Sequence, residues 1–278
     1  MPEIIHKPLP EPQFITVNGN LIAARFQAGD QNGEAMPEQP VVVWLGGFNS
    51  DMRGTKAERL SGLAANRGFS FLRFDYSGHG ESSGRFTDGT ISKWLADAEA
   101  VIAHFASDRP LLLVGSSMGA WIVLRLVQNS IVQGDQNQLA GLVLLAPAPD
   151  FTSDLIEPQL TDQQRHDLQH KNYCEEPSDY GPGPAIYTRA LIEDGRNNRV
   201  LTGIIDTHCP IVILQGMADA DVPYAHALKL MSHLPQDNVT LTLIKDGDHR
   251  LSREQDLVLL ERAVLDLLAL QIQNKVQA

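Results

Sequence analysis

The chain has 278 residues, 43% of them hydrophobic, which suffices for one large domain with a sizeable core. Its 34 acidic and 22 basic side chains give a formal net charge of −12 with no basic run, which argues against nucleic acid or an anionic membrane surface as a partner. The two cysteines, Cys174 and Cys209, belong to no Cys-x-x-Cys pair, so no disulfide framework is expected and a reducing compartment suits them.

The chain opens Met1-Pro2-Glu3-Ile4-Ile5-His6-Lys7-Pro8, without a basic n-region, an apolar h-region or an Arg-rich transit character. No apolar run is long enough to span a bilayer, so the expectation is a soluble cytoplasmic protein with no membrane span. Residues 14–17 and 21–26 are strand-like and flank Asn18-Gly19, a hairpin signature. A polar loop is expected from residue 28 to 40. Val41-Val42-Val43-Trp44-Leu45 is wholly apolar, as in a strand buried on both faces of a parallel sheet. Helices at 55–67, 91–105 and 118–128 then alternate with strands at 69–74, 111–114 and 139–145. After residue 207 the alternation resumes with a strand at 211–214, a helix at 224–231, a strand at 239–244 and a closing helix at 255–270. Repeated β-α-β implies a mostly parallel sheet with helices on both faces and functional groups at the carboxyl ends of its strands.

Residues 150–207 break this rhythm. They are polar, carry Tyr173, Tyr180, Tyr187 and Gly181-Pro182-Gly183-Pro184, and separate two strands that would otherwise be neighbours. A structureless stretch of that length inside a compact domain is uncommon unless functional. The segment reads as a small, largely helical cap inserted over the strand ends of a single domain spanning 1–278.

Gly115-Ser116-Ser117-Met118-Gly119 joins the apolar run Leu111-Leu112-Leu113-Val114 to a helix. Gly-x-Ser-x-Gly at a strand-to-helix turn is the pattern of a nucleophile elbow. The turn lifts the serine out of the sheet, and the glycines let backbone segments crowd together without Cβ clashes. The pattern occurs a second time, at Gly80-Glu81-Ser82-Ser83-Gly84, where polar loops lie on both sides and no strand or helix adjoins. Ser117 is therefore the candidate nucleophile.

A serine hydroxyl needs a base and a group to orient that base, in the chain order Ser, acid, His. Asp219 and Asp221 both follow the strand ending near Leu214, and spacing from Gly216 favours Asp219. His249 is the one histidine in the loop after the next strand, Lys245-Asp246-Gly247-Asp248-His249-Arg250. Imidazole titrates near neutrality, so it can take a proton and return it. Among the other histidines, His79 precedes the nucleophile in a turn-rich loop, His104, His226 and His233 fall on or at the ends of expected helices, and His166, His170 and His208 lie in the inserted segment or at its exit. An oxyanion hole needs a backbone N–H from the residue after the nucleophile, Met118, and one from an earlier loop, where Gly46-Gly47 leads to Phe48.

With these residues in hand the chain resembles the α/β-hydrolase fold superfamily over nearly its whole length. Within it, the chain is most similar to the group of the palmitoyl-protein thioesterase, also described as mycophenolic acid acyl-glucuronide esterase, and its bacterial relatives. The likeness rests on Gly54-Thr55-Lys56-Ala57, Arg73-Phe74-Asp75-Tyr76-Ser77-Gly78, the segment from Val114 to Trp121, and Asp248-His249-Arg250. It implies an α/β-hydrolase fold, a mostly parallel eight-stranded sheet with helices on both faces and a small helical cap insertion. It further implies Ser117, Asp219 and His249 as catalytic residues, Phe48 and Met118 amides as the oxyanion hole, and hydrolysis of a small acyl ester or acyl thioester, or of an acylated protein, with no cofactor and no metal. Two departures stand out. Gly46-Gly47 replaces the His-Gly common in the superfamily, and the N-terminus has no counterpart to mitochondrial targeting. The rival readings are a C–C bond hydrolase or lyase on the same fold, which would keep the same three residues, and a catalytically silent binding protein, against which the complete set argues. Haloalkane dehalogenation would need a carboxylate where Ser117 stands.

Overall fold

The computed structural model describes residues 11–31, 34–35, 39–133, 139–178, 183–234 and 238–277. The N-terminal octapeptide, Tyr180 and Gly181-Pro182 lie outside them.

Asn18 and Gly19 have φ of 49° and 83°, the left-handed pair that a tight hairpin turn demands. Through that turn β1 (Gln13–Val17) and β2 (Asn20–Gln27) pair antiparallel, with Ile15 opposite Ile22. The expected polar loop over 28–40 instead contains two short antiparallel strands, β3 (Asp30–Gln31) and β4 (Glu34–Ala35). Two residues are too few to leave a periodic signal.

The alternation then runs β5 (Val41–Leu45), α1 (Thr55–Arg67), β6 (Ser70–Phe74), α2 (Ile91–Ala106), β7 (Leu111–Ser116), α3 (Met118–Gln133) and β8 (Leu139–Leu145). Within residues 150–207 come a π-helical turn (Thr152–Ile156), a 3-10 turn (Glu157–Gln159), α4 (Asp162–His170), β9 (Tyr173–Glu176), β10 (Ala185–Thr188) and α5 (Arg189–Asn197). The chain closes with β11 (Ile211–Gly216), α6 (Tyr224–His233), β12 (Val239–Ile244) and α7 (Glu254–Gln277).

The main sheet has eight strands in the order β1-β2-β6-β5-β7-β8-β11-β12. β2 is antiparallel to β1 and to β6, and every pairing from β6 to β12 is parallel. Alternation along β5 explains its unbroken apolar run. Val41, Val43 and Leu45 join a core with Trp94 of α2 and Trp121 of α3, while Val42 and Trp44 join one with Leu60 of α1 and Leu260 of α7. Side chains so buried contribute about 1.5–3 kcal/mol each, and truncating one such as Leu60 to alanine would cost about 2–5 kcal/mol.

The inserted segment leaves the sheet after β8 and returns at β11, strands that pair directly through Leu142 and Ile211. It is not helical throughout, because β9 and β10 form an antiparallel hairpin. Cys174 of that hairpin packs inward on Leu168 and Ile192, whereas Tyr173 is exposed. Four residues of alternation are too short to distinguish from polar loop. Asp150 clasps the two ends of the segment. Fully buried and at φ 55°, it accepts hydrogen bonds from the Val200 and Leu201 N–H groups at 2.8 and 2.9 Å.

Candidate active site

Ser117 sits between β7 and α3 at φ 55°, a left-handed conformation that costs a non-glycine residue roughly 1–2 kcal/mol. Its surroundings hold it there. The Ser117 N–H donates to the Leu145 carbonyl at 2.9 Å, and the Ser117 carbonyl accepts from the Ala120 N–H at 3.0 Å. Both flanking glycines are needed for space. A Cβ on Gly115 would lie 2.7 Å from the Ala120 backbone, and one on Gly119 would lie 2.1 Å from the Leu45 carbonyl oxygen.

The structure brings the three sequence-selected side chains into one hydrogen-bonded row. The Ser117 hydroxyl lies 3.0 Å from His249 Nε2, and His249 Nδ1 lies 2.8 Å from Asp219 Oδ2. A carboxylate only accepts, so Nδ1 carries the proton and Nε2 is left to accept from the serine. Asp219 has no exposed side-chain surface. Its Oδ1 accepts from the Asp221 and Val222 N–H groups at 2.9 and 2.8 Å, and its Oδ2 also accepts from Gln215 Nε2 at 3.1 Å. The Asp221 carboxylate does not take that place. It lies at the exposed end of a group in which Asp219, Asp221 and His249 each offer a ligand atom within 4.8 Å of the others.

Three features escape a reading of sequence alone. Buried Gln215 donates to the Gly216 and Val222 carbonyls as well as to Asp219, bracing the acid's loop from beneath. The acid and histidine loops also meet backbone to backbone, since a Cβ on Gly216 would lie 2.3 Å from the Gly247 carbonyl oxygen. Ala218 N–H donates to that same oxygen at 2.9 Å. Lys56, on the first turn of α1, donates to the Arg250 carbonyl, and burial lowers its pKa to about 8 against the pull of Asp248. Only a glycine at a strand's end, doubled at Gly46-Gly47 and single at Gly216, hints at such close approaches.

Phe48 and Met118 both line the cavity onto which Ser117 opens. A Cβ on Gly47 would lie 3.4 Å from Ser117 Cβ, so the loop after β5 runs alongside the serine. Met118 is the first residue of α3, where N–H groups have no intrahelical acceptor. The Phe48 ring stacks on Tyr187 of β10 at 5.5 Å and packs on Phe151 at 5.9 Å. The cavity holds about 670 Å³, and its apolar wall comes from Phe48, Phe151, Leu155, Ile156, Leu160 and Tyr187. All but Phe48 belong to the inserted segment.

The other candidates are occupied elsewhere. Ser82 Oγ donates to the Asp75 carbonyl at 2.6 Å and accepts from the Ala23 N–H at 2.8 Å, so the second Gly-x-Ser-x-Gly is a structural knot. Gly80 within it, at φ 45°, lets the Asp75 carboxylate come within 2.1 Å of where a Cβ would be. His79 is buried among Tyr76, Phe86 and Trp94, and burial lowers its pKa to about 4. His226 is buried and bonded to the Pro149 carbonyl at 2.7 Å.

Comparison with known proteins identifies the family. The family described as serine aminopeptidase, S33, matches residues 37–166. The human mitochondrial palmitoyl-protein thioesterase ABHD10 is 30% identical over 232 residues, which span 83% of this chain and 74% of that protein. Among solved structures, a presumed hydrolase from Agrobacterium vitis S4 shares 54% identity at a TM-score of 0.89, covering 94% of this chain and all of that one. The mouse α/β-hydrolase domain-containing protein 10 shares 26% identity at a TM-score of 0.79, covering 93% and 98%. This chain therefore belongs to the α/β-hydrolase superfamily and is a hydrolase of the group that holds the ABHD10 thioesterases and their bacterial relatives.

Proposed function

We propose that this protein is a serine esterase or thioesterase that works through an acyl-serine intermediate. Ser117 attacks the substrate carbonyl carbon while His249 Nε2 takes its proton, and Asp219 holds the imidazole and offsets the charge it gains. The Phe48 and Met118 N–H groups bind the oxyanion, each donor being worth ~3 kcal/mol in the transition state. As the tetrahedral adduct collapses, the bond to the leaving oxygen or sulfur breaks and His249 returns the proton to it. Water then repeats the sequence on the acyl-serine and frees the acid. No step calls for a cofactor.

The observation that carries this reading is the bonded row from Ser117 through His249 to buried Asp219, at the floor of a cavity with one apolar wall. That wall suits an acyl group. The relatives named as palmitoyl-protein thioesterases support a thioester or ester of a small molecule or a protein. We read residues 150–207 as a cap inserted into a single domain, supplying most of that wall.

The test is steady-state hydrolysis of paired acyl esters and thioesters. Ser117→Ala is expected to lower kcat by roughly 10⁴–10⁶ with the fold intact, and to abolish labelling by a fluorophosphonate probe. Unchanged turnover in Ser117→Ala would sink the assignment.

A further inference from the structure

The loop that carries His249 is pinned on both flanks. On one side it meets the acid's loop at the Gly216–Gly247 contact. On the other it meets α1, whose Lys56 donates to the carbonyl of Arg250, the residue directly after His249. One turn along the same face of α1, Arg59 pairs with Glu254 at the start of α7 and with Glu261 two turns further along it. Arg253 draws the loop's two ends together by binding Asp246 at 2.7 Å and Asp256 at 2.8 Å. Of these cationic anchors, Lys56 is the one that lines the cavity itself.

Placing an ammonium group there is costly, because burial opposes its charge. A carbonyl at a cavity wall can be satisfied by water, so bonding alone does not account for a lysine in that place. Asp219 fixes the orientation of the imidazole ring but not the height of the backbone that bears it. A charge-assisted bond to the adjoining carbonyl supplies that second constraint, at roughly twice the strength of a neutral one.

Building on the esterase and thioesterase reading, we propose that Lys56 is a positioning residue for the reaction: its bond to the Arg250 carbonyl holds His249 Nε2 within reach of Ser117. The charged groups around Lys56 are Asp248 and Arg250 on the loop and Asp256 on α7, with Arg59 further along α1 and Asp51, in the loop before α1, lining the same cavity. Asp248 and Asp256 favour the ammonium form, whereas Arg250 opposes it. Loss of the proton weakens the bond, so the constraint is present below a pH of about 8 and fades above it.

The experiment compares wild type, Lys56→Met and Lys56→Arg for p-nitrophenyl ester hydrolysis between pH 6 and 10, with melting temperature measured alongside and Ser117→Ala as the blank. Lys56→Met is expected to lose about 10- to 100-fold in kcat, the scale of a small misplacement of a catalytic group, with KM within about 2-fold and melting temperature unchanged. Lys56→Arg, a donor charged at every pH tested, is expected to recover most of that kcat and to remove the fall of wild-type kcat above pH 8. A Lys56→Met kcat within 2-fold of wild type overturns the inference. So does a raised KM at unchanged kcat, which would make Lys56 a substrate contact, or a loss that tracks melting temperature, which would make it a packing residue. No Ser117-dependent turnover in the wild type would instead remove the functional reading, and this inference with it.

Discussion

Gly119 has no room for a side chain: the nearest atoms to a Cβ there would be the Leu45 and Gly46 carbonyl oxygens at 2.1 and 2.6 Å. Both belong to the backbone that leads to Phe48, so any added methyl pushes the elbow away from the proposed oxyanion loop. Gly119→Ala is expected to cost about 1–3 kcal/mol of stability and roughly 100-fold in kcat, read by denaturant titration and ester hydrolysis. His79 illustrates the opposite kind of residue, one that titrates without taking part in the site. Its ordinary value of 6.5 falls to about 4 inside its aromatic cage. Between those values the unfolded chain binds more protons than the folded one, so acid withdraws stability. The contribution is complete above pH 6.5 and is lost as pH falls through 4, on the order of 3 kcal/mol. Melting temperatures at pH 7 and 4 should therefore converge in His79→Phe relative to wild type, and an equal spread in both would refute the cage's role.

At the scale of elements, the inserted segment is tied to the sheet at a few identifiable points. Trp121 of α3 donates to the Asn198 carbonyl at 2.9 Å, and Asp194 of α5 accepts from both the Ser92 N–H and hydroxyl at the start of α2. Asp150 is the tightest of these ties. Asp150→Ala would leave the buried Val200 and Leu201 N–H groups without their acceptor, at roughly 1–3 kcal/mol each. Lower global stability is expected, together with faster amide exchange at Val200 and Leu201. Elements of this size divide sharply in how well the sequence announces them. β5, α1, β8 and β12 stand out because long apolar runs and helical periods persist over many residues. The β9–β10 hairpin does not, since its inward-facing Cys174 packs on Leu168 and Ile192, a surface visible only once the segment has folded.

In the molecule as a whole, four loops converge on one end of the sheet. Those after β5, β7, β11 and β12 bring Phe48, Ser117, Asp219 and His249 together, as expected where parallel strands end. Chain order and strand ends point to Ser117 and His249, spacing from Gly216 is needed to prefer Asp219 to Asp221, and the paired glycines Gly46-Gly47 point to Phe48. Gln215 and Lys56 are not legible in that way. Lys56 bonds to a loop far from it in sequence, Gln215 bonds to the loop that follows it, and a single glutamine or lysine carries no pattern that announces either contact. The same holds for the cavity wall, where Phe151 and Tyr187 matter because both close on Phe48.

The left-handed backbone at Ser117 sets the chemistry against the scaffold. Glycine would occupy that conformation without strain, so Ser117→Gly is expected to raise stability by about 1 kcal/mol while ending turnover, measurable as a higher melting temperature in a dead protein. A molecule kept only to hold a ligand would gain by making that exchange. Retaining serine there is a standing thermodynamic handicap, and the proposed nucleophilic role of Ser117 is what would offset it.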